Sequence, residues 1–127
     1  MSKSPGHRKW PDHRVDEQRL EHRIQVAVNG ELVADSNDVI RVEEDGSPVR
    51  YYFPRWDVKM DMLEPTDTTT ECPFKGMAHY FALNVNGESL RDVVWTYEEP
   101  YEEHDALRDR VAFWHEKIDG IDIREVI

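Results

Sequence analysis

Three short segments concentrate side chains able to do chemistry. They are Tyr51-Tyr52-Phe53-Pro54-Arg55-Trp56-Asp57-Val58, Thr70-Glu71-Cys72-Pro73-Phe74-Lys75-Gly76-Met77-Ala78-His79-Tyr80 and Val94-Trp95-Thr96-Tyr97-Glu98-Glu99-Pro100. Cys72 is the sharpest candidate, because a thiolate is a nucleophile and Lys75 nearby in sequence could favour that form. His79 is a candidate base for it. The competing reading is a small structural thiol at a tight turn. Asp57 and Glu98 are candidate acid–base groups. Lys75-Gly76 can be read as an anion site, since glycine lets the backbone approach and lysine supplies a point charge, or Lys75 can pair structurally with a glutamate. Arg55 could add a bidentate clamp for phosphate or carboxylate, or pair structurally with Asp57. Tyr52, Tyr80, Trp95 and Tyr97 are candidate walls for a ligand, although aromatics on a strand face often belong to a core.

Several chemistries lack their motif. There is no Cys-x-x-Cys and no Gly-x-x-x-x-Gly-Lys loop. Asp57 and Asp61 would share one face of a helix and could hold a metal there, but on a strand they would stand about 13 Å apart, too far to share an ion. The six His show neither His-x-His nor His-Glu-x-x-His spacing, so no dedicated metal site is expected, and the cofactor is left open.

The elements that must position these groups read as short strands. Ile24, Val26 and Val28 alternate with Gln25 and Ala27, and Asn29-Gly30 then favours the positive φ angles of a type I′ hairpin turn. Glu31–Asp35 returns. Val39–Glu43 and Val49–Phe53 flank the turn Asp45-Gly46-Ser47-Pro48. Gly76–Val85 and Ser89–Tyr97 flank a second Asn-Gly turn, Asn86-Gly87. Val111–His115 and the alternation from Ile121 complete the set, with Asp119-Gly120 as a turn. Pro65–Pro73 reads as loop, and residues 1–12 as an irregular arm. Segments 13–23, 56–63 and 102–110 are ambiguous between helix and strand; the first two lean to extended. Roughly eight to ten strands without regular helical intervals favour an antiparallel β architecture.

Composition narrows the class. The chain has 127 residues with 16 Lys+Arg against 27 Asp+Glu, a net charge of −11, and one Cys. One domain is the natural count. A single Cys excludes an intramolecular disulfide framework and a cysteine-cluster zinc site. The acidic balance argues against a nucleic-acid surface. No stretch is apolar enough for a membrane span. No apolar core follows the basic start, and the expectation is a cytoplasmic protein. Charge is uneven: residues 1–23 carry +2 and the remainder −13, with the sharpest acid run at Glu98–Asp109.

Tyr52-Phe53-Pro54-Arg55-x-Asp57-Val58, Cys72-Pro73-x-Lys75-Gly76-x-Ala78-x-Tyr80 and Trp95-x-Tyr97-x-x-Pro100, in this order, resemble the bacterial and fungal family called Domain of Unknown Function 427. The likeness covers about residues 20–127. It implies a mainly β, beta-tent-like domain of two sheets with a groove between them, little helix, and no established activity. The family is also labelled a nucleotidyltransferase, but this chain has Gly46-Ser47 without any Asp-x-Asp. It also departs from the family at Asp109-Arg110, where a glycine-containing pair is expected.

The reading is therefore an N-terminal arm (1–19) and a β-rich domain (20–127). The expected function is binding of a small polar or anionic ligand through Tyr52, Arg55, Lys75, Tyr80, Trp95 and Tyr97. The alternatives are an enzyme using Cys72, Asp57 or Glu98, and a non-catalytic acidic interaction module. The oligomeric state is open, a homodimer among the options.

Overall fold

A computed structural model describes residues 4–117 and 120–126. It is mainly β, as expected, with two antiparallel sheets. The strands are β1 (Val15–Leu20), β2 (Arg23–Val28), β3 (Glu31–Ser36), β4 (Val39–Glu44), β5 (Arg50–Phe53), β6 (Leu63–Cys72), β7 (Gly76–Val85), β8 (Glu88–Tyr97), β9 (Val111–Phe113) and β10 (Ile121–Val126). Seven form one sheet in the order β1-β4-β5-β9-β8-β7-β6; the other has the order β10-β2-β3.

Both Asn-Gly turns behave as their chemistry requires. Asn29 and Gly30 have φ of 50° and 85°, Asn86 and Gly87 of 51° and 79°, the mirror-image turn whose twist matches paired strands. Asp109 has φ of 60° at the position where the family resemblance led us to expect glycine. An aspartate can hold that left-handed backbone, at some cost in energy.

Strand alternation divides the side chains into two cores. Ile24, Val26 and Val28 from the small sheet meet Phe53, Phe81, Leu83, Val94, Val111 and Phe113 from the large one. This contiguous apolar layer fills the space between the sheets. Ile40, Val42, Tyr52, Ala78, Trp95, Tyr97 and Ala112 form a second cluster on the opposite face of the large sheet.

Three expectations are corrected. Pro65–Pro73, read as loop, falls largely within β6: this is an edge strand, where proline's missing N–H costs no ladder bond, and its threonines favour extended backbone. Segment 56–63, open between a helical turn and a strand with a lean to strand, is instead occupied by two 3-10 turns, Arg55–Asp57 and Met60–Met62, joined to β3 through an Ala34–Val58 bridge, the Lys59 N–H to Val33 bond and the Ser36 hydroxyl on Asp57. The arm is not irregular. Helix α1 (Pro5–Lys9) is capped by the Ser4 side chain; beyond it β1 pairs with β4 along six residues, in agreement with the extended lean of segment 13–23. Its charged side chains suit an exposed sheet edge. Segment 102–110, open between helix and strand, contains a 3-10 turn, Glu102–Leu107, kinked at His104. The expected Asp119-Gly120 turn lies partly outside the described residues.

Helix α1 is held by close approach. The Gly6 N–H donates to the Pro73 carbonyl at 2.8 Å, and a Cβ at Gly6 would meet the Phe74 ring at 2.7 Å.

Candidate functional site

The pleat of the large sheet builds a row of aromatic side chains on its open face. In register across four strands run Tyr80, Trp95, Ala112 and Tyr52. Alanine in the middle of this row leaves room for the indole of Trp95 to cross β9, and its Nε1–H donates to the Tyr52 hydroxyl at 3.2 Å. Trp114 closes edge-on against Trp95, with ring centroids 6.1 Å apart. In the next row Ala78 lies opposite Tyr97 and Thr70, and the hydroxyls of Thr70 and Tyr80 are 3.0 Å apart.

These rings surround a cavity of about 160 Å³, lined also by Val42, Glu44, Ser47, Pro48, Arg50 and Lys75. Lys75 is only 5 % exposed. Its ammonium pairs with Glu44, whose other oxygen is 3.0 Å from His13 Nε2. Burial pushes the Glu44 carboxyl up, but Lys75 and His13 together hold it below its ordinary value of 4.5. Arg50 stacks over Trp95, 5.1 Å from the ring centroid, and both its terminal nitrogens reach Glu116 at 2.6 Å. Burial pushes the phenols of Tyr52 and Tyr97 up, so both stay neutral at physiological pH. The cavity thus offers aromatic walls, neutral phenols and two cations, each already facing an acid.

Of the residues singled out in the sequence, Tyr52, Lys75, Tyr80, Trp95 and Tyr97 line this one cavity. Cys72, half-buried, packs against the same cluster. Its face is set by its pairing opposite Gly76, in step with Thr70 opposite Ala78. His79 falls one residue out of step and points to the other face, 3.8 Å from Glu98. The sheet therefore separates this imidazole from the Cys72 thiol.

Arg55, Asp57 and Glu98 lie elsewhere. Arg55 donates to the Asp109 carbonyl at 2.8 Å and to Thr96 at 3.2 Å, with Glu98 at 3.7 Å. Asp57 accepts from the Ser36 hydroxyl at 2.6 Å, at the end of β3. The expected groove between the sheets is also corrected: apolar side chains fill that space, and the aromatic cavity opens on the far face of the large sheet. Sequence reasoning missed Glu44, Arg50 and Trp114. The available signal was alternation, since Arg50 is two residues from Tyr52 on the same strand.

No curated protein matches the chain. A family model described as a domain of unknown function (DUF427), short name NTP_transf_9, matches residues 16–124, and the chain belongs to that family.

Proposed function

We propose that the protein binds a small polar or anionic molecule carrying one planar ring, in the cavity walled by Tyr52, Tyr80, Trp95, Tyr97 and Trp114. The observation that carries this is the convergence of five aromatic side chains with Lys75 and Arg50 around one opening. The size suits a single ring: about 150 Å³ accommodates benzene in an engineered protein cavity. Drug-sized ligands ask for roughly 300–1,000 Å³. A whole nucleoside triphosphate is therefore a poor fit, whatever the family's short name suggests. Ring faces would stack on Trp95 and Trp114, and Lys75 has donors beyond the one given to Glu44.

Native mass spectrometry of freshly purified protein, looking for a retained small molecule, is the first experiment. The second uses benzoate as a probe, read by tryptophan fluorescence. Millimolar, saturable binding is expected for so few atoms. It should weaken about tenfold in both Trp95→Ala and Lys75→Met, the worth of one good contact. Binding unchanged in both variants refutes the assignment.

A second reading is favoured by the place of Cys72 on the cavity face: thiol chemistry on the bound ligand. It requires fast alkylation of Cys72 by iodoacetamide in the folded protein. Alkylation only on unfolding removes it.

A further inference from the structure

Away from the cavity, α1 and the 3-10 turn Glu102–Leu107 bring together His7, Glu103 and His104. One donor atom from each lies within 4.8 Å of the others. His104 is 4 % exposed. Its Nδ1 is 2.6 Å from a carboxylate oxygen of Glu17. A carboxylate accepts, so Nδ1 carries the proton. Among the described residues the other nitrogen, Nε2, is buried without a hydrogen-bond partner, 4.0 Å from Glu103 Oε1.

His7 presents the complementary problem. Its Nε2 is 3.0 Å from the His13 carbonyl, which only accepts, so Nε2 holds a proton. In the neutral ring Nδ1 then carries a bare lone pair, yet it faces Glu103 Oε1 at 2.6 Å. The Ser4 hydroxyl is 3.3 Å from the same Nδ1, and the Ser4 N–H donates to Glu103 at 2.9 Å. Two acceptors at such a distance need positive charge between them. A second proton on His7 answers this, but leaves His104 Nε2 without a partner. A cation held by all three residues answers both at once.

We propose that His7 Nδ1, a Glu103 oxygen and His104 Nε2 form a site for a divalent transition metal of the zinc class. Two imidazoles and one carboxylate are zinc-type donors, whereas magnesium and calcium prefer all-oxygen sets. Bonds of about 2.0–2.2 Å in tetrahedral geometry put ligand atoms roughly 3.3–3.5 Å apart. His7 and Glu103 must open slightly and His104 close slightly, shifts within reach of side-chain rotation. Glu17 plays the part of the outer carboxylate that fixes the tautomer of a ligating histidine. A fourth position is left for water. The ion ties α1 to the turn that follows β8. His7 lies 96 residues from Glu103, the neighbour of His104, so no spacing motif could announce the set.

The test is a titration of chelator-stripped, full-length protein with Zn²⁺ against a chromophoric competitor, and with Co²⁺ by visible absorption. One ion per chain is expected, with the intense Co²⁺ bands of a four-coordinate site. His104→Gln and His7→Gln should each weaken uptake at least about 100-fold. Glu17→Gln should weaken it about 10–100-fold, as for other outer-shell partners. His22→Gln, whose imidazole pairs with Glu125 at 3.1 Å, should leave it unchanged. Absence of stoichiometric uptake, or uptake undiminished by both His7→Gln and His104→Gln, overturns the proposal. Far-UV circular dichroism accompanies each variant. If His104→Gln fails to fold, His7→Gln on the short outer helix decides alone.

Discussion

Replacing Lys75 by methionine should destabilise the protein by about 3 kcal/mol at pH 7. Methionine keeps most of the apolar stem, so no large cavity forms. What remains is the Glu44 carboxylate, with a side chain only 13 % exposed and, among the described residues, His13 as its one other side-chain partner. Breaking a buried pair from one side costs about 3–5 kcal/mol, and His13 keeps the value at the low end. Glu44→Gln strands the Lys75 ammonium in the same way. The double variant removes both charges, and such replacements are often close to neutral. It should therefore be more stable than the sum of the singles predicts, by about 2 kcal/mol. Urea denaturation followed by tryptophan fluorescence measures all four corners of the cycle. In a thermal scan the Lys75→Met deficit should appear as a Tm drop of about 10 °C. The pH dependence has a definite sign. In the parent protein the Glu44 carboxyl sits below 4.5, so its contribution is complete above that pH and is lost as pH falls through the lower folded value. Without Lys75 the carboxylate takes a proton more readily, and the deficit should narrow below about pH 4.5. Single variants costing under about 1 kcal/mol, or additive within about 0.5 kcal/mol, would refute the buried-pair reasoning.

Asp92→Asn tests a second carboxylate. Burial pushes the Asp92 carboxyl up, but Thr66 and Thr68, donating at 2.6 and 2.7 Å, hold it below its ordinary 3.8. Asparagine tolerates the φ of 59° there, so the loss should be about 1–2 kcal/mol at pH 7 and should fade as acid neutralises the parent, checked by urea titrations at pH 7 and 3. Gly6→Ala should undock α1 from Phe74, because the added Cβ meets the ring at 2.7 Å; overpacking costs about 1–3 kcal/mol, and amide exchange across residues 5–9 should accelerate. Tyr52→Phe should cost about 1–2 kcal/mol by leaving the Trp95 indole N–H without its acceptor, and should shift the tryptophan emission. Asp109→Gly should be neutral or stabilising by up to about 1 kcal/mol, since relief at φ of 60° offsets the entropy of the extra glycine, as calorimetry will show.

Local rules carried much of the architecture. The two Asn-Gly dipeptides marked their hairpins, because few other residues accept two successive positive φ angles. Alternation along β5, β7 and β8 was enough to put Arg50 with Tyr52, Ala78 with Tyr80, and Trp95 with Tyr97 on shared faces. That periodicity is a property of the pleat and needs no tertiary knowledge. It was also enough to set Cys72 and His79 at odds once β6 was recognised as a strand.

Tertiary structure decided the rest. Strand β9 inserts between β5 and β8, and only this pairing lets Ala112 separate Trp95 from Tyr52 while Trp114 closes the cavity. Trp56 shows the limit of pattern reading, since alternation leaned its segment toward a strand, yet it is 77 % exposed on a 3-10 turn. Glu44 meets Lys75 and His13, and Glu103 meets His7, across long stretches of chain. Such meetings follow from which distant strands share hydrogen bonds and which apolar faces can be buried together. Sequence alone determined the kinds of side chain available and the faces they take on each strand. Long-range pairing decided which of those faces became one cavity, and which acids and imidazoles were left to satisfy each other.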